Sequence, residues 1–270
     1  MIPHPSPITF HSSPTAMHFS TIIRTTLLIL TSALLNSSLQ ANAYWTRVFL
    51  RIEGSEKTIF EGTVLTTGHI VTTKSGGTHE CDGTNNGAHT APGATIISAI
   101  DDAVSPWNGK YYNGTRDYLI TSIHDDPSTD DGSWGLLIGY DFAEKGGCQT
   151  QVAADDRVLV ASGAFGASAF LEASADKSSA QLNEDVAFTV VNGKDRKPVE
   201  SSTMVAGGDG PKATTNAEGV ATIKFSKAGV YKYKATKGGT IRSNEVTVTA
   251  EGGNWLLTQT GCRHNPGCCD

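Results

Sequence analysis

The stretch "SGGTHECDGTNNGAH", residues 75–89, decides how the first half of the chain is interpreted. It places two histidines, one cysteine, one aspartate and two asparagines among four glycines. Three structures fit that composition: a metal site, a phosphate-binding loop, or a tight connection stabilised by a disulfide. The glycines and asparagines favour the tight connection, because they tolerate the positive φ angles that a chain reversal needs.

The two chemical alternatives are less well supported by the pattern. Zinc could be bound by His79, Cys81 and His89, but their spacing matches no standard arrangement of zinc ligands. A phosphate loop would need a Gly-x-Gly-x-x-Gly or Walker pattern, and the sequence has neither. We therefore expect no metal ion and no cofactor.

The first 43 residues have the pattern of a secretory signal peptide. A short stretch from Met17 to Arg24 precedes the apolar run "LLILTSALL" (27–35), and "ANA" (41–43) provides the small residues that signal peptidase requires. Met17 is a plausible true start, and cleavage is expected after Ala43. The apolar run is too short to span a bilayer, so we expect a secreted protein, extracellular or cell-wall associated, with no membrane span in the mature chain.

The charge of the chain argues against two classes of partner. Its formal net charge is −6 at pH 7, and no run of lysine and arginine interrupts that balance. Nucleic acid and anionic membranes attract clustered positive charge. We therefore expect an unknown small molecule or a cell-surface partner instead.

All five cysteines follow the predicted signal peptide, so they meet an oxidising compartment. The simplest pairing joins Cys81 to Cys148 and Cys262 to either Cys268 or Cys269. One thiol is then left over, and it could link two chains into a disulfide-bonded dimer.

The segment 44–166 has the pattern of an α+β domain. Val48, Leu50 and Ile52 alternate with polar residues, which predicts a strand. In "APGATIISAIDDAV" (91–104) the apolar residues recur at helical spacing, which predicts one short amphipathic helix. Further strands are predicted at 117–123, 133–143 and 156–165.

Two longer stretches of this segment, "GGTHECDGTNNGAHTAPGATIISAIDDA" (76–103) and "WGLLIGYDFAEKGGCQTQVAADDRVLVASGAF" (134–165), resemble the transcobalamin-like C-terminal domain family. The resemblance covers about residues 46–165. It implies a β-grasp-like fold, a small mixed sheet curled over one helix, and it matches Cys81 and Cys148 to the cysteine pair of the family. Members cap cobalamin together with a helical barrel; that barrel is absent here, so the resemblance implies a small-ligand or adhesive module.

The segment 167–250 has the pattern of a small β-sandwich. Strands are predicted at 185–191, 219–225, 229–236 and 244–250, separated by glycine-containing turns. The stretch "NGKDRKPVESSTMVAGGDGPKATTNAEGVATIKFSKAGVYKYKA" (192–235) resembles bacterial-type Ig-like and carboxypeptidase-regulatory-like modules. A cysteine-rich tail, 251–270, follows. The predicted fold is thus mainly β with one short helix: a β-grasp-like domain and then an Ig-like β-sandwich.

Two polar features of the first domain have plain alternatives. The acidic loop that holds Asp125, Asp126, Asp130 and Asp131 could bind Ca²⁺, but its spacing is not that of an EF-hand and a surface turn is favoured. Asn113-Gly114-Thr115 is a sequon for N-glycosylation, which predicts a glycoprotein if the host is eukaryotic.

The sequence contains neither a Gly-x-Ser-x-Gly nor a His-Glu-x-x-His motif, and we expect no enzymatic activity. Aromatic residues are the better lead, because tyrosine and tryptophan combine apolar area with a polar group. The predicted ligand-binding residues are Trp107, Tyr112, Tyr118, Trp134 and Tyr140. The favoured function is a secreted, non-catalytic binding or adhesion protein. An effector or elicitor acting on host cells and an unrecognised wall-polysaccharide hydrolase are the alternatives.

Overall fold

The computed structural model describes residues 45–128 and 133–252. These residues belong to one compact unit that begins at Ala43. The predicted signal peptide (1–43) and the cysteines of the tail, Cys262, Cys268 and Cys269, lie outside the described residues, as do Asp130 and Asp131 of the acidic loop.

The first half of the described chain forms ten strands and one helix. They are β1 (Thr46–Glu53), β2 (Thr58–Thr66), β3 (His69–Thr73), β4 (Gly77–Cys81), α1 (Ile96–Ala103), β5 (Trp107–Tyr112), β6 (Asp117–Ile123), β7 (Asp126–Pro127), β8 (Trp134–Ile138), β9 (Asp141–Phe142) and β10 (Arg157–Ser162).

The main sheet of this half has the strand order β2-β1-β10-β8-β9. Its first and last long strands, β1 and β10, lie side by side and parallel at the centre, while the other pairs are antiparallel. Helix α1 packs on one face through Ile96, Ile97 and Ile100, which are fully buried. A mixed sheet curled over one helix is the predicted β-grasp-like fold, which is confirmed; we call this half the β-grasp domain.

Helix α1 begins where the sequence provides a cap. The Thr95 hydroxyl accepts a hydrogen bond from the Ser98 amide, and the Ser98 hydroxyl accepts one from the Thr95 amide. This reciprocal pair satisfies two amides that a helix start otherwise leaves without partners. The helix ends at Ala103, and the backbone of the next residue, Val104, is extended.

The predicted strand at 133–143 is wrong in one respect, because the chain reverses in its middle. Gly139 and Tyr140 both have positive φ, 58° and 76°. Two such residues in succession form the kind of turn that joins two antiparallel strands. Strands β8 and β9 therefore pair with each other as a hairpin.

The stretch 75–89 is part strand and part turn. Residues 77–81 form β4, which pairs with β3, and a short 3-10 turn at Asn85–Gly87 follows. Gly83 and Asn86 have φ angles of 88° and 53°, as the tight-connection interpretation requires. The side chain of Asn85 holds the turn by donating to the carbonyls of Glu80 and Arg116.

The predicted disulfide between Cys81 and Cys148 is confirmed, with the two Cα atoms 4.6 Å apart and both residues fully buried. Asp117, at the start of β6, positions the second cysteine. Its carboxylate accepts hydrogen bonds from the amides of Cys148 and Gln149 and from the Gln149 side chain. The end of β4, the start of β6 and the Cys148 turn are thereby joined beside α1.

The second half is a sandwich of two sheets. Its strands are β11 (Leu171–Ala175), β12 (Ser179–Gln181), β13 (Asp185–Asn192), β14 (Thr203–Ala206), β15 (Ala213–Thr214), β16 (Val220–Lys224), β17 (Gly229–Thr236) and β18 (Val246–Glu251). The sheets have the orders β11-β13-β16 and β12-β18-β17-β14-β15. Phe188, Met204 and Tyr233 fill the space between them. The predicted Ig-like sandwich class is confirmed, and we call this half the sandwich domain.

The two domains meet across the face of the main sheet that points away from α1. Leu137, Leu159 and Ala161 of that face form an apolar cluster with Phe170 and Ile241. Beside this cluster the Glu53 carboxylate, 1% exposed, accepts hydrogen bonds from Lys234 Nζ at 2.6 Å and Arg242 Nε at 2.9 Å. A buried charged network thus joins the domains.

Replacing both cysteines, Cys81→Ala with Cys148→Ala, is expected to lower the free energy of unfolding by about 4 kcal/mol, because the bridge closes a long loop in the unfolded chain. Urea denaturation of the double variant and the wild type measures the difference. A loss below about 1 kcal/mol would show that the bridge adds little to the stability of the domain.

Glu53→Gln is expected to lower the free energy of unfolding by about 3 kcal/mol, because it leaves Lys234 and Arg242, which are only 17% and 19% exposed, with a neutral partner. Asp185→Asn is the control, since Asp185 pairs with Lys224 at an exposed site where both side chains are 59% exposed. The control should change stability by less than about 1 kcal/mol. Equal losses for both variants in urea denaturation would contradict the structural role of Glu53.

Candidate functional site

Two of the predicted ligand-binding aromatics are core residues. Trp107 and Tyr118 are 9% and 4% exposed and lie edge to face, with ring centroids 5.8 Å apart. The Tyr118 hydroxyl lies within hydrogen-bond distance of the carbonyls of Val71 and Gly77, and burial raises the pKa of Tyr118 to about 12. These contacts connect β6 to the β3–β4 hairpin.

The other three predicted aromatics lie in different places. Trp134 is buried in the core with α1, whereas Tyr112 is exposed and lies at the end of β5, with Lys110 Nζ 5.1 Å from its ring. Tyr140 lies on the opposite face of the main sheet, 5.9 Å from the Arg51 guanidinium carbon. The five residues therefore do not form one surface, and Tyr140 lines a cavity between the two domains.

His79 and His89 of the stretch 75–89 lie in different surroundings. His79 stacks on Tyr111, with ring centroids 3.5 Å apart, and its Nε2 is 3.0 Å from the Gly76 carbonyl. His89 is exposed, and Cys81 is held in the disulfide. In residues 45–128 and 133–252, no group of three or more potential metal ligands comes together.

Asp126 of the acidic loop is engaged with the first hairpin of the main sheet. Its carboxylate accepts hydrogen bonds from the amide and hydroxyl of Ser55. Asn113 lies in the exposed turn between β5 and β6. Glycosylation itself remains a prediction.

A cavity with a volume of about 410 Å³ lies at the junction of the two domains. Its floor is the face of the main sheet opposite α1. Tyr140 and Asn244 provide walls from the β-grasp and sandwich domains respectively. We call it the junction cavity; its lining residues are Phe49, Leu50, Arg51, Glu61, Gly62, Thr63, Gly139, Tyr140, Asp155, Arg157, Val158, Leu159 and Asn244.

Both walls of the junction cavity are held in place by specific contacts. Asn244 exchanges two hydrogen bonds with the backbone of Ala173, each 3.0 Å long. The Tyr140 ring lies so close to Gly193 that a Cβ atom there would be 2.5 Å from it. Burial raises the pKa of Tyr140, so its hydroxyl keeps its proton at neutral pH. The ring provides an apolar wall with one polar group.

The charged groups of the junction cavity differ in their ion-pair and hydrogen-bond partners. The Glu61 carboxylate pairs with Lys234 at 2.6 Å and accepts the Glu245 amide, and Asp155 pairs with Arg47 at 2.6 Å. Arg51 is 7% exposed, and its Nη1 has no hydrogen-bond partner among the described residues. Sequence reasoning missed Arg51 and Arg157. For Arg51 the available signal was a pair of arginines, Arg47 and Arg51, four residues apart on the strand "TRVFLRIE" (46–53), on the face opposite the one that packs on α1.

A second polar cluster lies where β3 meets the C-terminal end of α1. His69 Nδ1 is 2.8 Å from the Thr67 carbonyl and its Nε2 is 3.1 Å from the Asp101 carboxylate. Both ring nitrogens thus face acceptors, an arrangement that favours the imidazolium. The hydrogen bond to Asp101 raises the pKa of His69. Burial raises the pKa of Asp101, but the hydrogen bonds from His69 and Trp107 outweigh it and the net pKa is lowered.

Comparison with known proteins adds little to this geometry. No protein-family model matches the chain, and no curated protein matches it. The resemblance to the transcobalamin-like family therefore receives no support from these comparisons. No helix in the described residues has the length and apolar character needed to cross a membrane.

Solved structures similar to the chain include two pairs of domains from Intimin. The D0-D1 domain is 14% identical, covers 48% of this chain and 88% of its own, and gives a TM-score of 0.22. The D00-D0 domain is 16% identical, covers 53% and 77%, and gives a TM-score of 0.24. TM-scores this low support no conclusion about fold or function.

His69→Gln is expected to destabilise the protein in acid more than in base. The folded-state pKa of His69 is raised above 6.5, so its contribution is fully present below that value and is lost as the pH rises through the folded pKa. Because the site is partly exposed, the contribution should be below about 1 kcal/mol. Urea denaturation at about pH 5 and about pH 9 measures it, with His89→Gln as the exposed control. A deficit of the same size at both pH values would contradict the charged-pair assignment.

Proposed function

We propose that this protein is a secreted, non-catalytic binding protein that takes a small molecule in the junction cavity. The observation that carries the proposal is the cavity itself, which has a volume of about 410 Å³ and walls from both domains. Small-molecule sites of proteins commonly have volumes of roughly 300–1,000 Å³ and lie at domain interfaces. The Glu53 network would keep such a site preformed.

We propose binding without turnover because the acidic groups of the cavity, Glu61 and Asp155, are engaged in ion pairs. A general acid or base must be free to exchange a proton with its substrate. Glu61 and Asp155 are instead engaged with Lys234 and Arg47. The wall-polysaccharide hydrolase and the host-cell effector remain predictions that no contact in the cavity favours.

Secretion is supported by the disulfide between Cys81 and Cys148, since such bonds persist mainly in oxidising compartments. The signal-like pattern of residues 1–43 agrees with it. Three more specific proposals rest on the sequence alone. They are an extracellular or cell-wall location, a dimer linked through a tail cysteine, and a transcobalamin-like origin of the β-grasp domain.

Adhesion to a cell-surface partner is a second candidate, favoured by one specific feature. Phe142 and Phe165 are 37% and 67% exposed and stack with ring centroids 4.9 Å apart. Phe142 belongs to β9, which is an edge strand of the main sheet. Exposed apolar residues beside a sheet edge are suited to contact with another protein.

The junction cavity can be tested by filling it. Thr63 is exposed and lines the cavity from β2, so Thr63→Trp should occupy the space without disturbing the core. Saturation-transfer NMR with a panel of small organic molecules should detect members that bind the wild type and not this variant.

The matched control is Thr222→Trp, which adds the same ring to an exposed position of β16 outside the cavity. It should retain every binder that the wild type has. A panel that binds Thr63→Trp as well as the wild type would overturn the assignment of the cavity, and chemical conversion of a bound member would overturn the non-catalytic part.

A further inference from the structure

Arg51 is the most unusual residue of the junction cavity. It lies on the central strand β1, on the face covered by the sandwich domain, and is 7% exposed. Its Nη1 has no hydrogen-bond partner among the described residues. Buried arginines are normally paired, because an unsatisfied charged donor is costly. Arg51 also belongs to the lining of the junction cavity, so an anion there would place a negative charge beside a cation that lacks a full set of hydrogen-bond partners.

The neighbouring acid on β1 does not satisfy this guanidinium. Arg51 Nε lies 3.9 Å from Glu53 Oε1, which is too far for a hydrogen bond. The same oxygen accepts from Lys234 Nζ at 2.6 Å, and Glu53 Oε2 accepts from Arg242 Nε at 2.9 Å. The carboxylate of Glu53 is therefore occupied by the cations of the sandwich domain.

The acids that line the cavity are occupied as well. Glu61 pairs with Lys234, and Asp155 pairs with Arg47. Arg157, also in the lining, is exposed and forms no ion pair with the described residues. Arg51 thus has only the distant Glu53 carboxylate, 3.9 Å from its Nε, and Arg157 has no carboxylate partner among the described residues, while the carboxylates of the lining pair with other cations.

The rest of the lining is apolar or aromatic. Phe49 is 45% exposed beside the cavity, and Leu159, on the face of the sheet opposite α1, contributes aliphatic surface to its floor. The Tyr140 ring lies 5.9 Å from the Arg51 guanidinium carbon and continues this surface. Such a lining favours an apolar body attached to a charged group.

We propose that the junction cavity binds a small carboxylate with an apolar body, its carboxylate held by Arg51 and Arg157. The inference rests on the proposed function and names the ligand class of the same site. A planar carboxylate matches the fork of a guanidinium. A single negative charge fits better than a phosphate dianion, because Glu61 and Asp155 lie in the same lining and would repel a second charge.

The test compares two molecules of nearly the same shape, 3-phenylpropanoate and 3-phenylpropanamide, by isothermal titration calorimetry. The carboxylate is expected to bind about 10- to 100-fold more tightly than the amide, the range for hydrogen bonds to a charged group. Raising the salt concentration should weaken the exposed contribution of Arg157. Thr63→Trp should remove binding of both molecules.

Two variants test whether the arginines cause the preference for the carboxylate over the amide. Arg51→Gln should reduce the carboxylate-to-amide ratio to near one, and Arg157→Gln should reduce it several-fold. Arg116→Gln, at an exposed turn outside the cavity, is the control and should keep the wild-type ratio. Circular dichroism checks folding; if Arg51→Gln fails to fold, Arg157→Gln at its exposed position still provides the test.

The outcomes separate this inference from the proposed function. Equal binding of acid and amide, both removed by Thr63→Trp, would overturn the carboxylate inference and leave the cavity as a binding site. If Arg51→Gln and Arg157→Gln kept the full preference for the carboxylate over the amide, that result would also overturn the carboxylate inference. Failure of 3-phenylpropanoate, its amide and the whole NMR panel to bind would overturn the proposed function together with the inference.

Discussion

The buried carboxylate of Glu53 is the contact on which the arrangement of the two domains depends. It ends the central strand β1, is 1% exposed, and receives both Lys234 and Arg242 from the sandwich domain. A buried carboxylate tolerates little displacement of its cations, because each would lose a partner out of contact with water. The network therefore fixes the angle at which the sandwich domain covers the main sheet, and the junction cavity is the space that this angle leaves.

Much of the β-grasp domain could be predicted from short patterns. The alternation of Val48, Leu50 and Ile52 identifies the face that meets α1, and the spacing of Ile96, Ile97 and Ile100 identifies the helix. Each pattern shows which face of a single strand or helix is buried. That information lies in the spacing of apolar residues along a short stretch of sequence. The turn at Gly139 and Tyr140 was missed because tyrosine seldom adopts positive φ, and here its ring is held against Gly193, far away in sequence.

The candidate site was harder to predict for a related reason. On the second face of β1, Arg47, Phe49, Arg51 and Glu53 have the composition of a solvent-exposed surface, yet Arg51 and Glu53 are buried by the other domain. A sequence pattern shows which residues share a face but not what covers it. Aromatic content was a poor guide, since Trp107, Tyr118 and Trp134 fill the core. The feature that points to the cavity is the Arg51 guanidinium, whose Nη1 has no hydrogen-bond partner among the described residues. Its burial can be seen only when the two domains are placed together.

The position of the cavity has a consequence for stability. Arg51 and Arg157 lie on the main sheet, while Asn244 reaches the same space from the sandwich domain. A molecule bound there would contact both domains and would be released when they separate, so binding and docking of the domains are thermodynamically linked. If the proposed ligand binds, the Nη1 of Arg51, which has no hydrogen-bond partner among the described residues, is a cost in the empty protein that the carboxylate would offset. Selection for stability alone would favour an apolar residue at this position; an arginine is expected where the empty state is not the working state.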